Sequence, residues 1–210
     1  MRFFKIITAR PWLGEETAYS AEFDAALGAD GLATLKTKRM GLFIFIGVAT
    51  ALFGLFAVAY YMRMMMGGWH MLMEPLILWP NTLILMVGGG LMQWASWLSK
   101  QGNVPRAKQA FFAGGIAGLL FLGGQLLAWQ ELIELGCYAE VNPANAFFYV
   151  ITGLHGLHLM GGLFVWGNAL FKTMGDASPA AITASIELCD YYWHFMLAVW
   201  IAIFALLVVT

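Results

Sequence analysis

Long apolar runs separated by short polar stretches fill most of this 210-residue chain. Runs of about twenty apolar positions lie at residues 40–62, 76–98, 111–133, 147–171 and 191–210. Each is long enough to cross the hydrocarbon core of a bilayer as a helix. The pattern predicts an all-α, five-span integral membrane bundle over residues 40–210, preceded by a cytoplasmic N-terminal tail over 1–39. Within the tail, residues 18–27 suit one short helix. No long apolar core or small-residue cleavage site precedes residue 40, so the tail does not read as a signal peptide.

The fourth run carries the most chemistry. It reads Thr152-Gly153-Leu154-His155-Gly156-Leu157-His158-Leu159-Met160-Gly161-Gly162, placing two imidazoles three residues apart in apolar surroundings. At about 100° per residue, Thr152, His155, His158, Gly162 and Trp166 share one stripe. Such groups need polar partners inside protein, because unsatisfied polar groups in hydrocarbon are costly. A packing face with histidines bonding across to a neighbouring helix is the favoured reading. A metal site is the sharper alternative, and no second pair of histidines completes a cage.

Composition agrees with the run lengths: 61% of residues are hydrophobic and 11% charged. The net charge of −1 argues against a nucleic-acid partner. Ten of the 11 Lys and Arg fall in the tail, between spans two and three, or after span four, and only Arg63 falls on the other side. The positive-inside rule therefore puts the N-terminus in the cytoplasm and Thr210 outside. Cys137 and Cys189 then lie on opposite sides and cannot bridge.

Residues 62–73 form a Met-rich loop around Trp69 and His70; thioethers and imidazole suit Cu(I), with His70, Met66 and Met71 as the contacts. Flexible apolar packing at a membrane boundary is the plainer account of the same residues. Gly88-Gly89-Gly90, Gly114-Gly115, Gly118 and Gly123-Gly124 invite close helix contact. Glu131 and Glu134 read as a solvated rim. In the last run, Glu187 and His194 lie two turns apart on one face, so an early helix start near Pro179 would bring them to His155 or His158. His155, His158, Glu187 and His194 are accordingly the expected structural polar network. Trp193, Arg106 and Lys108, at the cytoplasmic boundary, are the expected contacts for lipid headgroups.

The motif Thr152-Gly153-Leu154-His155-Gly156-Leu157-His158, together with Glu187, Tyr192-Trp193-His194-Phe195 and Val199-Trp200, resembles subunit III of the haem–copper terminal oxidases. Pro80-Asn81-Thr82, the Gly118, Phe121 and Gln125 pattern, and Asn142-Pro143 before Phe147-Phe148 follow in that family's order. The resemblance covers residues 36–210 and matches the shorter, five-span bacterial form. It implies a non-catalytic accessory subunit of the bacterial cytoplasmic membrane. Such a subunit flanks catalytic subunit I, with subunit II in the same complex, and holds phospholipid during O2 reduction coupled to proton pumping. It carries no cofactor of its own, haem and copper being in the partner subunits, and leaves room for a larger respiratory supercomplex. A cytochrome c oxidase is favoured over a quinol oxidase.

Three departures bear on this reading. Ala49, Ala128 and Leu197 stand where many members carry carboxylates, which weakens any proton-antenna role. The same losses make an accessory protein of a nitric oxide reductase the nearest rival. More distant rivals are a small transporter, which would need paired broken helices or a polar pathway, and a membrane metalloenzyme ligated by His155, His158 and His194.

Overall fold

The computed structural model describes residues 11–66, 69, 75–175 and 177–209, with side chains from residue 22 onward. Its five helices are α1 (Pro11–Met64), α2 (Leu78–Lys100), α3 (Val104–Glu134), α4 (Pro143–Met174) and α5 (Pro179–Val209), and no strand occurs among the described residues. The chain divides into two compact units, one ending at Met40 and the other being Gly41–Thr210. Four helices are long and apolar enough to cross a membrane. The exception is α2, whose 23 residues include Pro80, Asn81, Thr82, three glycines, Gln93, Ser96 and Ser99. All five predicted spans are helical, and four of the five helices meet that length and composition requirement.

Every helix but α2 begins earlier than its apolar run. The expected tail with a short helix at residues 18–27 is instead helical from Pro11, with a break at Gly28, where φ is 70°. Hydropathy marks only the lipid-facing stretch, whereas caps mark where the backbone turns. The Asn103 side chain accepts from the Arg106 amide at 3.4 Å, and the Asn142 side chain accepts from the Ala144 amide at 3.1 Å. Each precedes a proline at the first or second helical position, the preferred start of a helix. Ser178 Oγ accepts from the Ala181 amide at 3.3 Å, so α5 starts at Pro179, well ahead of the apolar run that begins at residue 191.

Two ends share one device. After α2, Gly102 has φ 76° and after α3 Gly136 has φ 77°, conformations that glycine enters without a Cβ clash. In both, the glycine amide and the amide after it reach back to carbonyls of the last turn: Gly102 to Ser99 and Asn103 to Leu98, Gly136 to Ile133 and Cys137 to Leu132. The helix is closed by this pair of bonds and the chain is reversed.

Within the Gly41–Thr210 unit, α2 to α5 pack closely because glycines leave room. Lipid tails supply no hydrophobic drive between helices, so association depends on close van der Waals contact. A Cβ at Gly88 would lie 2.9 Å from the Ala117 Cβ, and one at Gly114 would lie 3.1 Å from Met92. A Cβ at Gly115 would fall inside the Trp166 indole, one at Gly162 on the Tyr192 ring, and one at Gly118 would lie 2.7 Å from Trp193. Gly90 and Gly123, in the same glycine runs, face open space.

Helix α1 is attached differently. From residue 41 on, it meets the bundle mainly through rings: Phe43 with Tyr191, Phe45 with His158 and Tyr192, Phe53 with His155 and His158. Most of its apolar side chains, including Ile44, Val48, Leu55 and Val58, are exposed. Gly115→Ala should destabilise the protein by about 1–3 kcal/mol, since overpacking forces Trp166 from its place. Gly161→Ala, in open space, should unfold like the parent when thermal unfolding in detergent is followed by tryptophan fluorescence.

Candidate functional site

The histidine stripe of α4 faces inward over α3, α5 and α1. His155 is fully buried and sits among rings: the Trp200 centroid at 5.2 Å, Phe121 at 5.8 Å edge-on, and Phe53 at 6.3 Å. These spacings are those of favourable aromatic pairs. One turn on, His158 donates from Nδ1 to the Leu154 carbonyl at 2.8 Å, with Phe53 at 5.3 Å and Phe45 at 5.8 Å. The Tyr192 hydroxyl donates to the His158 carbonyl at 2.8 Å, tying α5 to α4. That bond is reachable only because Gly162 admits the Tyr192 ring.

The expected network of His155, His158, Glu187 and His194 is not one cluster. Helix α5 does start at Pro179, yet Glu187 pairs with Lys100 Nζ of α2 at 3.0 Å. His194 turns to its own helix, with Nδ1 2.9 Å from the Asp190 carbonyl and 3.1 Å from its carboxylate. Neither ring nitrogen of His155 has a hydrogen-bonding partner among the described residues, so no Glu–His bond joins α5 to it. Two turns along one face bring residues into line, but the rotation of the helix decides which neighbour they meet. Here α5 presents Glu187 to the basic end of α2.

Trp193 also departs from its expected place. It is 1% exposed, with its ring against Gly118 and Gly88, so it is core and not a boundary residue that could hold headgroups. The glycines of α2 and α3 that take its indole were visible in the sequence, but their partner was not. Arg106 is exposed and Lys108 half-buried at the start of α3, beside the Lys100 end of α2. His70 and Met71 lie outside the described residues, and Met66 is exposed just beyond α1. Both cysteines are free thiols, and no cluster of three or more His, Cys, Asp or Glu occurs among the described residues.

Residues outside the expected polar network join the helices. Trp200 Nε1 donates to Thr82 Oγ1 at 2.9 Å, linking α5 to α2. Trp166 Nε1 donates to the Phe111 carbonyl at 3.0 Å and Trp129 Nε1 to Thr152 Oγ1 at 3.1 Å, both linking α3 and α4. Asn81 Nδ2 donates to the Phe121 carbonyl at 3.1 Å. In each case an amphipathic side chain buries its body and delivers its polar tip to another helix. Only the pairing of Asp190 with His194, four apart, was open to reading from spacing.

A groove of about 410 Å³ separates α1 from the bundle, between Thr50, Phe53, Gly54 and Ala57 on one side and Ile151, Phe195, Ala202 and Leu206 on the other. Its one polar lining group, the Thr50 hydroxyl, donates to the Ile46 carbonyl at 2.7 Å. The groove therefore offers contact to an apolar chain and no recognition of a polar one.

From these contacts, Trp193→Ala should cost about 3–5 kcal/mol of stability, while Arg106→Gln should stay within about 0.5 kcal/mol. The Lys100–Glu187 pair, whose lysine is 44% exposed, should show a coupling of about 0.2–1 kcal/mol in a double-mutant cycle by chemical denaturation.

The family model described as cytochrome c oxidase subunit III matches residues 16–209. The chain is 34% identical over 158 residues to the probable cytochrome c oxidase subunit 3 of Mycobacterium leprae, covering 73% of this chain and 78% of the relative. It is 33% identical over 159 residues to the protein of the same description from Mycobacterium bovis, with the same coverage. To cytochrome c oxidase subunit 3 of Thermostichus vulcanus it is 29% identical over 178 residues, covering 81% of this chain and 86% of the relative. A match across nearly the whole chain, carried by the same helices that hold the histidine stripe and its ring contacts, makes this protein a member of the cytochrome c oxidase subunit III family.

Proposed function

We propose that this chain is a non-catalytic accessory subunit that stabilises the catalytic subunit I of a bacterial haem–copper oxidase, with subunit II in the same complex, and seats phospholipid during O2 reduction. Family membership already makes it a multi-pass membrane subunit of an oxidase. The further reading of a lipid-seating role rests on one observation, the apolar groove beside α1. A greasy trough with its single hydroxyl already bonded suits an acyl chain; Arg106 and Lys108, at the start of α3 and outside the groove lining, are the proposed headgroup contacts. With the N-terminus in the cytoplasm, that basic end faces the anionic inner leaflet of the cytoplasmic membrane.

Several features favour support over chemistry. His155 is enclosed by rings, while His158 and His194 each use Nδ1 on the carbonyl four residues earlier in the same helix. The positions that the family resemblance marks for carboxylates hold buried Ala49 and Ala128 and half-buried Leu197. A chain without acids there has no means of relaying protons through those sites, so lipid and packing carry the role. Haem and copper then belong to the partner subunits, and cytochrome c is the favoured donor to the complex. The exposed apolar faces also leave room for a larger respiratory assembly.

The test is to tag the N-terminus, extract the membranes in mild detergent, and record the haem spectrum and gas consumption of the material that copurifies. Co-elution with a haem-containing subunit and cyanide-sensitive O2 uptake supports the reading. Nitric oxide reduction in place of O2 uptake, or elution without haem, overturns it. Within the purified complex, Gly54→Leu should fill the groove, since a Cβ at Gly54 meets nothing within 4 Å. Lipid phosphorus per complex should fall and O2 uptake should decay faster under turnover from an unchanged initial rate. Unchanged lipid content and unchanged decay would remove the groove as the lipid seat.

A further inference from the structure

Among the buried polar atoms without a hydrogen-bonding partner among the described residues, five belong to three side chains on three helices: Asn81 Oδ1, both amide atoms of Gln125, and both ring nitrogens of His155. They lie at one level of the bundle. On α3, Trp129 bonds Thr152 of α4, and two turns further along the same face Phe121 meets the His155 ring. Gln125 stands midway between Trp129 and Phe121, on the face that α4 covers from Thr152 to His155. From the other side, the Asn81 amide fills the notch over Gly124, the residue next to Gln125, and its Nδ2 is bonded to the Phe121 carbonyl. Trp200 closes the layer, lying on His155 and donating to Thr82.

The inventory in this layer is mixed. A neutral imidazole brings one donor and one acceptor, a primary amide brings two donors and an acceptor oxygen, and the Asn81 oxygen accepts. All three residues are 5% exposed or less, so each orphaned group carries the full cost of lost hydration. Asn81, Gln125 and His155 bring no carboxylate, which disfavours a cation as the missing partner. A small neutral molecule that both donates and accepts suits them, and a buried site with several convergent polar groups is where ordered water is found.

We propose that this layer is an internal hydration site, where ordered water is hydrogen-bonded to Gln125, His155 and Asn81 and thereby joins α2, α3 and α4. The water satisfies the Gln125 amide and sets which ring nitrogen of His155 carries the proton. The site is separate from the acyl groove and does not depend on the lipid-seating role.

The test uses the tagged, intact complex. A density map showing ordered water should place a peak within hydrogen-bonding distance of Gln125 and of His155 or Asn81. A map in which Gln125 bonds His155 or Asn81 directly, with nothing between, overturns the inference. A thermal cycle supplies the second arm: Gln125→Met and His155→Leu should each lower the melting midpoint, and the double variant should lose clearly less than the two losses added. Additive losses, or a midpoint raised by either single change, count against a shared water. If His155→Leu yields no folded complex, Gln125→Met alone decides: a lowered midpoint together with loss of the peak supports the site, and a raised midpoint or a retained peak overturns it.

Discussion

Close approach at glycine is the constraint on which the bundle depends. Gly115, Gly162 and Gly118 receive Trp166, Tyr192 and Trp193 in space that a Cβ would occupy. In water a ring can be buried by collapse alone, but among lipid tails a ring gains little by leaving one apolar medium for another. Fit and hydrogen bonding must supply the difference. Each of two of these rings uses its position to reach across: Trp166 to the Phe111 carbonyl and Tyr192 to the His158 carbonyl. Removal of the glycine hydrogen would therefore disturb a helix contact and a polar bond together.

The polar groups follow the same logic at different depths. At the basic end, Lys100 and Glu187 pair where the lysine still meets solvent, so the charges are not stranded. Asp190 and His194 pair within one helix, which satisfies both locally and leaves their helix free to rotate to its packing optimum. Deeper in, uncharged groups replace charged ones: Thr82 with Trp200, Thr152 with Trp129, and the layer of Asn81, Gln125 and His155. The gradient from ion pairs to neutral hydrogen bonds reflects the rising cost of charge with depth.

Helix α1 stands apart because ring contacts in place of glycine notches attach it. Rings such as Phe45 and Phe53 hold it at a distance from α4 and α5, and the apolar groove is the space that results. A family whose members serve a larger complex can use such a helix, since its exposed apolar face is available to lipid and to neighbouring subunits alike.

Much of this was legible in the chain. Run lengths gave the helix count, and the paired histidine motifs with Glu187 pointed to the family, whereas the starts marked by Asn103, Asn142 and the prolines after them were not read as caps. Hydropathy placed the starts of α1 and α5 too late, because it registers lipid-facing length and not caps. What the sequence by itself determined is which segments are helical, since that follows from run length and the absence of water in the bilayer. Tertiary structure alone decided who meets whom. Glu187 went to Lys100 and not to a histidine, Trp193 went inward to Gly118, and His155 came level with Gln125, because axial rotation and register are set by glycine notches on other helices, far away in the chain.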